Sequence, residues 1–330
     1  MRRMFGNRLG WGISALIAMF AGFLAHLIYQ AARVSPPTGW VQTAVKPLTV
    51  PAGAGSVVAD MNDPRDAGEF YRRAIGDYLS NRQAYAATET ATDAKVLTES
   101  HGEGIAALVD ATHLQTMNLF AAEPQEVVSY DAERAPLEAI YHVGKAALRE
   151  AALLRRDDPD QTKRLYEAVF SLGVKLYRER VVFDELSKGE DLMGTAAAGL
   201  QQLAQHDKDT ARATALQQFN NDRLSEYQAT IQPVWQVVSS IDPTIVAGYA
   251  GDLFVLAKDR NVDQVWRVEA TLKLGRLQYN AGDEMGRRGN QLAAKRVLKE
   301  MAADSSEDPA VRIAAEKGRD LTALEFRQLR

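Results

Sequence analysis

Cysteine is absent from this 330-residue chain. Disulfide frameworks, thiolate zinc sites, iron–sulfur clusters and cysteine nucleophiles are excluded with it. Histidine is nearly as scarce, at 5 residues. The Glu-x-x-His pair that di-iron carboxylate bundles use twice does not occur, and neither do His-Glu-x-x-His, Gly-x-Ser-x-Gly or Ser-x-x-Lys. No residue qualifies on these grounds as catalytic, cofactor-binding or metal-ligating, and an enzyme is the less favoured class. Asn-x-Ser/Thr acceptors are missing too, which together with the missing cysteines fits a bacterial source better than a eukaryotic secretory one. A formal charge of −4 and a pI near 5.8 give no overall pull toward nucleic acid.

Strand signals are also lacking. No stretch sustains an alternation of β-branched residues, and no Asn-Gly or Asp-Gly turn joins two apolar runs. Three- and four-residue spacings dominate instead, so the expected fold is all-α: antiparallel helical hairpins packed as a bundle or an irregular solenoid-like array.

One long apolar run stands apart from this pattern. Residues 9–29 read LGWGISALIAMFAGFLAHLIY, in which His26 alone is readily ionised. As a helix these 21 residues span about 31 Å, which matches a hydrocarbon core of ~30 Å. Trp11 and Tyr29 sit near its ends, where aromatic rings favour the bilayer interface. Arg2, Arg3 and Arg8 precede it, whereas Arg33 is the nearest cation beyond it. The positive-inside rule then keeps residues 1–8 in the cytoplasm and exports the chain beyond about residue 30. A signal peptide is the rival reading, but its apolar region is usually ~7–15 residues and the run ends without a clean Ala-x-Ala site. Gly10, Ser14, Ala18 and Gly22 recur every four residues as a row of small side chains, a seam through which two such helices could self-associate.

Residues 30–66 form a linker. Pro36, Pro37, Pro47, Pro51 and Pro64, with Gly53 and Gly55, break any sustained period and suit a semi-extended tether. From residue 67 to 330 the sequence reads as one helical domain, with a division near residue 207. Its first stripe is Ala67, Phe70, Tyr71, Ala74, Ile75, Tyr78, Leu79 and Tyr85, with Asp63-Pro64 as the expected cap. Further helices are expected near 104–120, 136–155, 161–187, 191–206, 209–238, 244–258, 263–280, 291–303 and 310–327. Gly189 is placed to end the long 161–187 pattern, and Asp158-Pro159, Asp242-Pro243 and Asp308-Pro309 to start helices. Val268…Gly275-Arg276 and Val311…Gly318-Arg319 share V-x6-G-R at a 43-residue offset. The second copy resembles a HEAT-type unit, so a regular repeat stands beside irregular hairpins as an alternative.

Chemistry-bearing residues are sparse and each has a plain structural reading. Asp110 with His113, and Glu138 with His142, place a carboxylate and an imidazole on one helix face, the raw material of a metal site, although a hydrogen-bonded or surface histidine fits better. His101-Gly-Glu-Gly is too isolated for a phosphate loop. Asp184, Glu185, Glu190 and Asp191 read as solvated or capping carboxylates. Arg287, Arg288, Lys295, Arg296 and Lys299 are interleaved with Glu284, Glu300, Asp304 and Glu307 and read as a solvated basic face. Trp235, Tyr249, Phe254, Trp266 and Tyr279 fall at helical spacing, as core or as anchors for a partner helix.

Taken together, an anchor, a spacer and a many-helix domain point to a membrane-tethered scaffold in the bacterial periplasm that binds a protein or peptide partner. A helical sensor or carrier holding a small molecule or lipid in its core is the alternative from a different class.

Overall fold

The computed structural model describes residues 63–88, 90, 92–119, 135–240, 249–277 and 285–320. The expected anchor at residues 9–29, most of the linker, Asp242-Pro243 and Tyr279 lie outside the described residues. Among those described, no helix is long and apolar enough to cross a membrane. Among the described residues the fold is all-helical apart from one small clip, as the periodicity implies.

The clip comes first. Strand β1 (Asp63–Asp66) pairs in parallel with β2 (Leu114–Thr116). The last residues of the expected linker are therefore ordered against the domain. The capping role expected of Asp63 belongs to Asp66, which accepts the Gly68 N–H at 3.0 Å and also the Asn118 N–H at 3.0 Å. Asp63 is turned to Arg65, which donates from its backbone N and side chain.

Between the two strands lie α1 (Gly68–Ser80), α2 (Arg82–Thr88) and α3 (Ala94–Asp110). The predicted stripe on α1 buries Tyr71, Ala74 and Ile75, while Arg72 and Arg73 face water. Next come α4 (Ala135–Leu154), α5 (Pro159–Glu179) and α6 (Phe183–His206). Helix α5 begins as its sequence implies: Asp158 accepts the Gln161 N–H at 2.9 Å and Pro159 occupies the first turn. Helices α1, α3, α4, α5 and α6 share one core, and α5 runs through its middle with an unbroken buried stretch from Ala168 to Tyr177.

Helices α5 and α6 make the tightest crossing. A Cβ built on Gly173 would lie 2.7 Å from the Met193 nitrogen and 2.9 Å from the Gly189 oxygen. One on Gly189 would lie 2.8 Å from the Tyr177 nitrogen. The two backbones therefore touch, and a side chain at either position would force them apart. This corrects the reading of Gly189 as a helix end. It lies inside α6, and α5 stops ten residues earlier, at Glu179.

Helix α7 (Thr210–Glu226) folds back on α6 after a short turn capped by Asp209. It runs through a π turn (Tyr227–Ile231) into α8 (Gln232–Ser240). The C-terminal third holds α9 (Tyr249–Lys258), α10 (Gln264–Leu277), α11 (Met285–Ala303) and α12 (Pro309–Asp320).

These last four helices form two hairpins whose turns are bonded alike. In the α9–α10 turn Asp259 accepts the Asn261 N–H at 3.0 Å, and Val262 N–H bonds back to the Asp259 carbonyl at 3.1 Å. In the α11–α12 turn Asp304 accepts the Ser306 N–H at 2.9 Å, and Glu307 N–H bonds back to the Asp304 carbonyl at 3.1 Å. Asp263 and Asp308 then start the second helix of each pair. At this shift of 45 residues, Leu253, Leu256, Ala257, Val265, Trp266 and Ala270 superpose in sequence on Leu298, Met301, Ala302, Ala310, Val311 and Ala315, all of them buried. A spacing of 45 residues lies within the range that HEAT-type units use. It differs by two from the V-x6-G-R offset, because bonded turns and buried faces set the register rather than the matched letters. The units stack through α10 on α12, through Arg260 on Asp304 at 2.8 Å, and through the buried Arg267–Glu307 pair at 2.7 Å.

Candidate functional site

The richest polar constellation in the molecule forms where α5 turns into α6 and meets α7, the π turn and α10. Helix α5 ends at Arg180, which takes φ 25° and ψ 56°. A glycine would adopt this conformation freely, and an arginine holds it only with support. That support is its own side chain. The guanidinium donates back to the Tyr177 and Arg178 carbonyls at 3.1 and 3.2 Å, so a cation caps the negative end of α5. It also reaches across to Asp263 at the start of α10, at 3.0 Å.

The opening of α6 is held in the same manner. Val181 N–H donates to Glu185 at 2.8 Å, and Phe183 N–H donates to Glu269 of α10 at 2.9 Å. Carboxylates thus meet the free N–H groups of a helix start. The Gln264 side chain donates to the Glu179 carbonyl at 2.6 Å. The Phe183 ring stacks on Trp235 of α8 with centroids 3.8 Å apart, and its centroid is 6.0 Å from that of Trp266 in α10. One corner of the N-terminal bundle is therefore gripped by α8 and α10 through ions, hydrogen bonds and rings together.

One turn further along α6, Glu190 pairs with Arg223 of α7. Gly194 leaves the space that the guanidinium fills. Burial raises the Glu190 carboxyl above its ordinary range despite Arg223, with the charge of Glu226 adding to the rise. Glu226, beside the π turn, is raised by burial against the pull of Arg180. The Tyr177 hydroxyl is raised by burial and by Glu226 and Glu190. These groups come from separate helices with perturbed proton affinities, a pattern that functional sites share with structural ion networks. The parts here are carboxylates paired with arginines, suited to locking two units together and to taking up protons.

A second cluster lies deeper. Ser171 and Lys175 are one turn apart on α5, 2.5 Å between Oγ and Nζ, at 2% and 1% exposure. Burial lowers the Lys175 amine to about 7, with Arg178 adding to the fall. A hydroxyl beside an amine of that affinity is what a Ser–Lys nucleophile requires. Both groups are otherwise engaged, however. Ser171 donates to the Thr112 carbonyl at 2.8 Å, Lys175 donates to the Ala111 carbonyl at 3.0 Å, and the Lys175 amine lies 5.7 Å from the centre of the Tyr71 ring. The pair clamps the C-terminal end of α3, and its sealed position leaves a substrate no approach.

The residues singled out from sequence are dispersed. His113 is exposed in the turn after α3, and Asp110 is exposed on the last turn of that helix. Glu138 is 3.9 Å from His142 but 2.7 Å from Lys188, and the His142 ring stacks on Tyr78 at 5.3 Å. That surface network continues through Lys188 to Asp184, and from Asp191 to Tyr141 and Lys145. Among the described residues no group of three metal-ligand side chains converges. His101-Gly-Glu-Gly lies within α3, and the space over Gly104 is filled by the Tyr85 hydroxyl and Asp77. Of the four carboxylates expected to be solvated or capping, Asp184 and Asp191 face water in part and Glu185, though buried, holds the start of α6, whereas Glu190 is buried against Arg223. Ser171-x-x-x-Lys175 was readable as a one-turn pair, but nothing in its letters tells that both side chains point inward.

No family model, curated protein or solved structure matches the chain.

Proposed function

We propose that the chain is a membrane-anchored, extracytoplasmic helical scaffold that binds a protein or peptide partner. In this reading residues 9–29 span the membrane, residues 30–62 hold the domain off it, and residues 63–330 present the binding surface. The observation that supports it is the stacked pair of α9–α10 and α11–α12 hairpins with matching bonded turns. Such stacks offer a continuous side-by-side helix surface, which repeat proteins use to hold partners. The gripped corner at Arg180 and Asp263 supports it further, because it fixes the stack to the N-terminal bundle and keeps the surface in one geometry. The row Gly10, Ser14, Ala18 and Gly22 would allow two anchors to pair and double that surface.

The test is capture of the full chain from crosslinked native membranes, with a chain ending at residue 62 as control. A stoichiometric partner that needs the helical domain is the expected result. Recovery of the full chain alone, or of the same proteins with the control, would refute the scaffold.

A further inference from the structure

Helix α11 is the most lopsided element in charge. Its sequence carries five cations and one carboxylate, in a chain whose net charge is −4. The described part of its outer face presents Leu292, Lys295, Arg296 and Lys299 at i, i+3, i+4 and i+7, one straight stripe. Ala294, Leu298, Met301 and Ala302 are buried on the opposite side. Leu292 is 71% exposed, the highest value of any large hydrophobic residue described. Neighbouring α9 extends the same surface with Lys258 and with Val255, itself 54% exposed. Glu300 is the one carboxylate on the α11 face, and it is spent on Arg296 at 2.9 Å and Lys258 at 3.6 Å. Lys295 and Lys299 have no partner among the described residues.

We propose that this stripe of α11, with the adjoining face of α9, is a docking surface for an anionic lipid bilayer. The proposal rests on the reading of residues 9–29 as an anchor and names what the tethered domain touches. Two features select a bilayer over an acidic protein, and a third puts the bilayer within reach. Among the described residues the uncommitted cations of the stripe are lysines, compact point charges that suit a diffuse anionic plane, rather than forks matched to individual carboxylates. The apolar groups lie singly among them, as side chains that enter a headgroup layer do, and do not form a groove for a helix. The intervening segment is also long enough: residues 30–62, at ~3.3 Å per residue, reach up to about 110 Å, so an anchored chain can lay α11 back on its own membrane.

The missing cysteines make the test clean, since Leu292→Cys and Leu79→Cys each give the full chain a single site for an environment-sensitive fluorophore. Leu79, 42% exposed on α1, is the reference. The labelled chains are reconstituted in phosphatidylcholine vesicles, with or without roughly a third phosphatidylglycerol, a zwitterionic and an anionic surface. The probe at residue 292 should shift to the blue and be quenched by spin-labelled lipid on the anionic vesicles alone. That signal should fade with added salt, and the probe at residue 79 should stay in water throughout. Lys295→Gln with Lys299→Gln should lower the docking equilibrium about thirtyfold. A residue-292 probe that stays in water on the anionic vesicles overturns the proposal and leaves the stripe to an acidic protein. Equal shielding on both vesicle types overturns it as well. Failure to float with phosphatidylcholine vesicles would instead remove the anchor reading, with the anionic vesicles still deciding the fate of α11.

Discussion

Replacing Lys175 with methionine keeps the length of the side chain and removes a buried amine. The fold holds that amine at about 7, whereas the unfolded chain returns it to 10.5. Between these values the unfolded chain binds more protons than the folded one, so stability rises with pH across the window. Below about 7 both states are protonated and the contribution is flat; above about 10.5 both are neutral. Each pH unit inside the window is worth up to ~1.4 kcal/mol, or about 3 kcal/mol from pH 7 to pH 9.5. Methionine has no such dependence. It leaves the Ala111 carbonyl without its donor, at a cost of about 1–3 kcal/mol, and is relieved of burying a charge, so the two proteins should be close in stability at neutral pH. Urea unfolding of both proteins, followed by circular dichroism at several pH values, reads the difference directly. The wild-type midpoint should climb with pH while that of Lys175→Met stays level, the gap widening to about 3 kcal/mol. Parallel pH profiles for the two would refute the reasoning, since groups common to both cancel in the comparison.

Gly173→Ala should destabilise by about 1–3 kcal/mol because the new methyl meets the backbone of α6, whereas Gly76→Ala, with open space around it, should stabilise by up to about 1 kcal/mol; melting temperatures check both. Glu307→Gln strands a buried guanidinium and should cost about 3–5 kcal/mol, while Arg267→Met combined with Glu307→Leu should recover most of the loss, which denaturant unfolding would show. Asp308→Ala should cost about 1 kcal/mol as the loss of a helix cap. Its counterpart Asp263→Ala loses a cap and the Arg180 clamp together and should cost at least twice as much; equal losses at the two positions would show that the clamp contributes nothing.

Much of the architecture is legible in the letters, and the reasons are local. Asp158-Pro159 and Asp308-Pro309 start helices because a cap and a fixed φ act within one turn. Most of the stripe from Ala67 to Tyr85 buries as its spacing says, since an amphipathic face has one way to turn, while Leu79, expected in it, stays 42% exposed. What escapes the sequence depends on distant partners. Arg180 ends α5 without a glycine because Asp263, far along the chain, holds its side chain. Gly189 resembles a helix end but is small for the sake of Gly173 on the neighbouring helix. The β1–β2 clip pairs segments too short and too polar to show a period. Within the candidate site, Trp235 and Trp266 are readable as aromatic anchors, but their grip on Phe183 is not, and Glu190 and Arg223 look like ordinary surface charges until two helices close over them.

The matched turns at Asp259 and Asp304 have an architectural consequence. A segment that begins in one turn and stops just short of its equal, residues 259–303, is a cassette: its two ends present the same bonded geometry to the neighbouring helices. A further copy inserted before Asp304 would meet, on each side, the kind of neighbour it already has. A chain lengthened in this way would extend the stack and leave the N-terminal bundle as it is, so that duplication would set the reach of the domain.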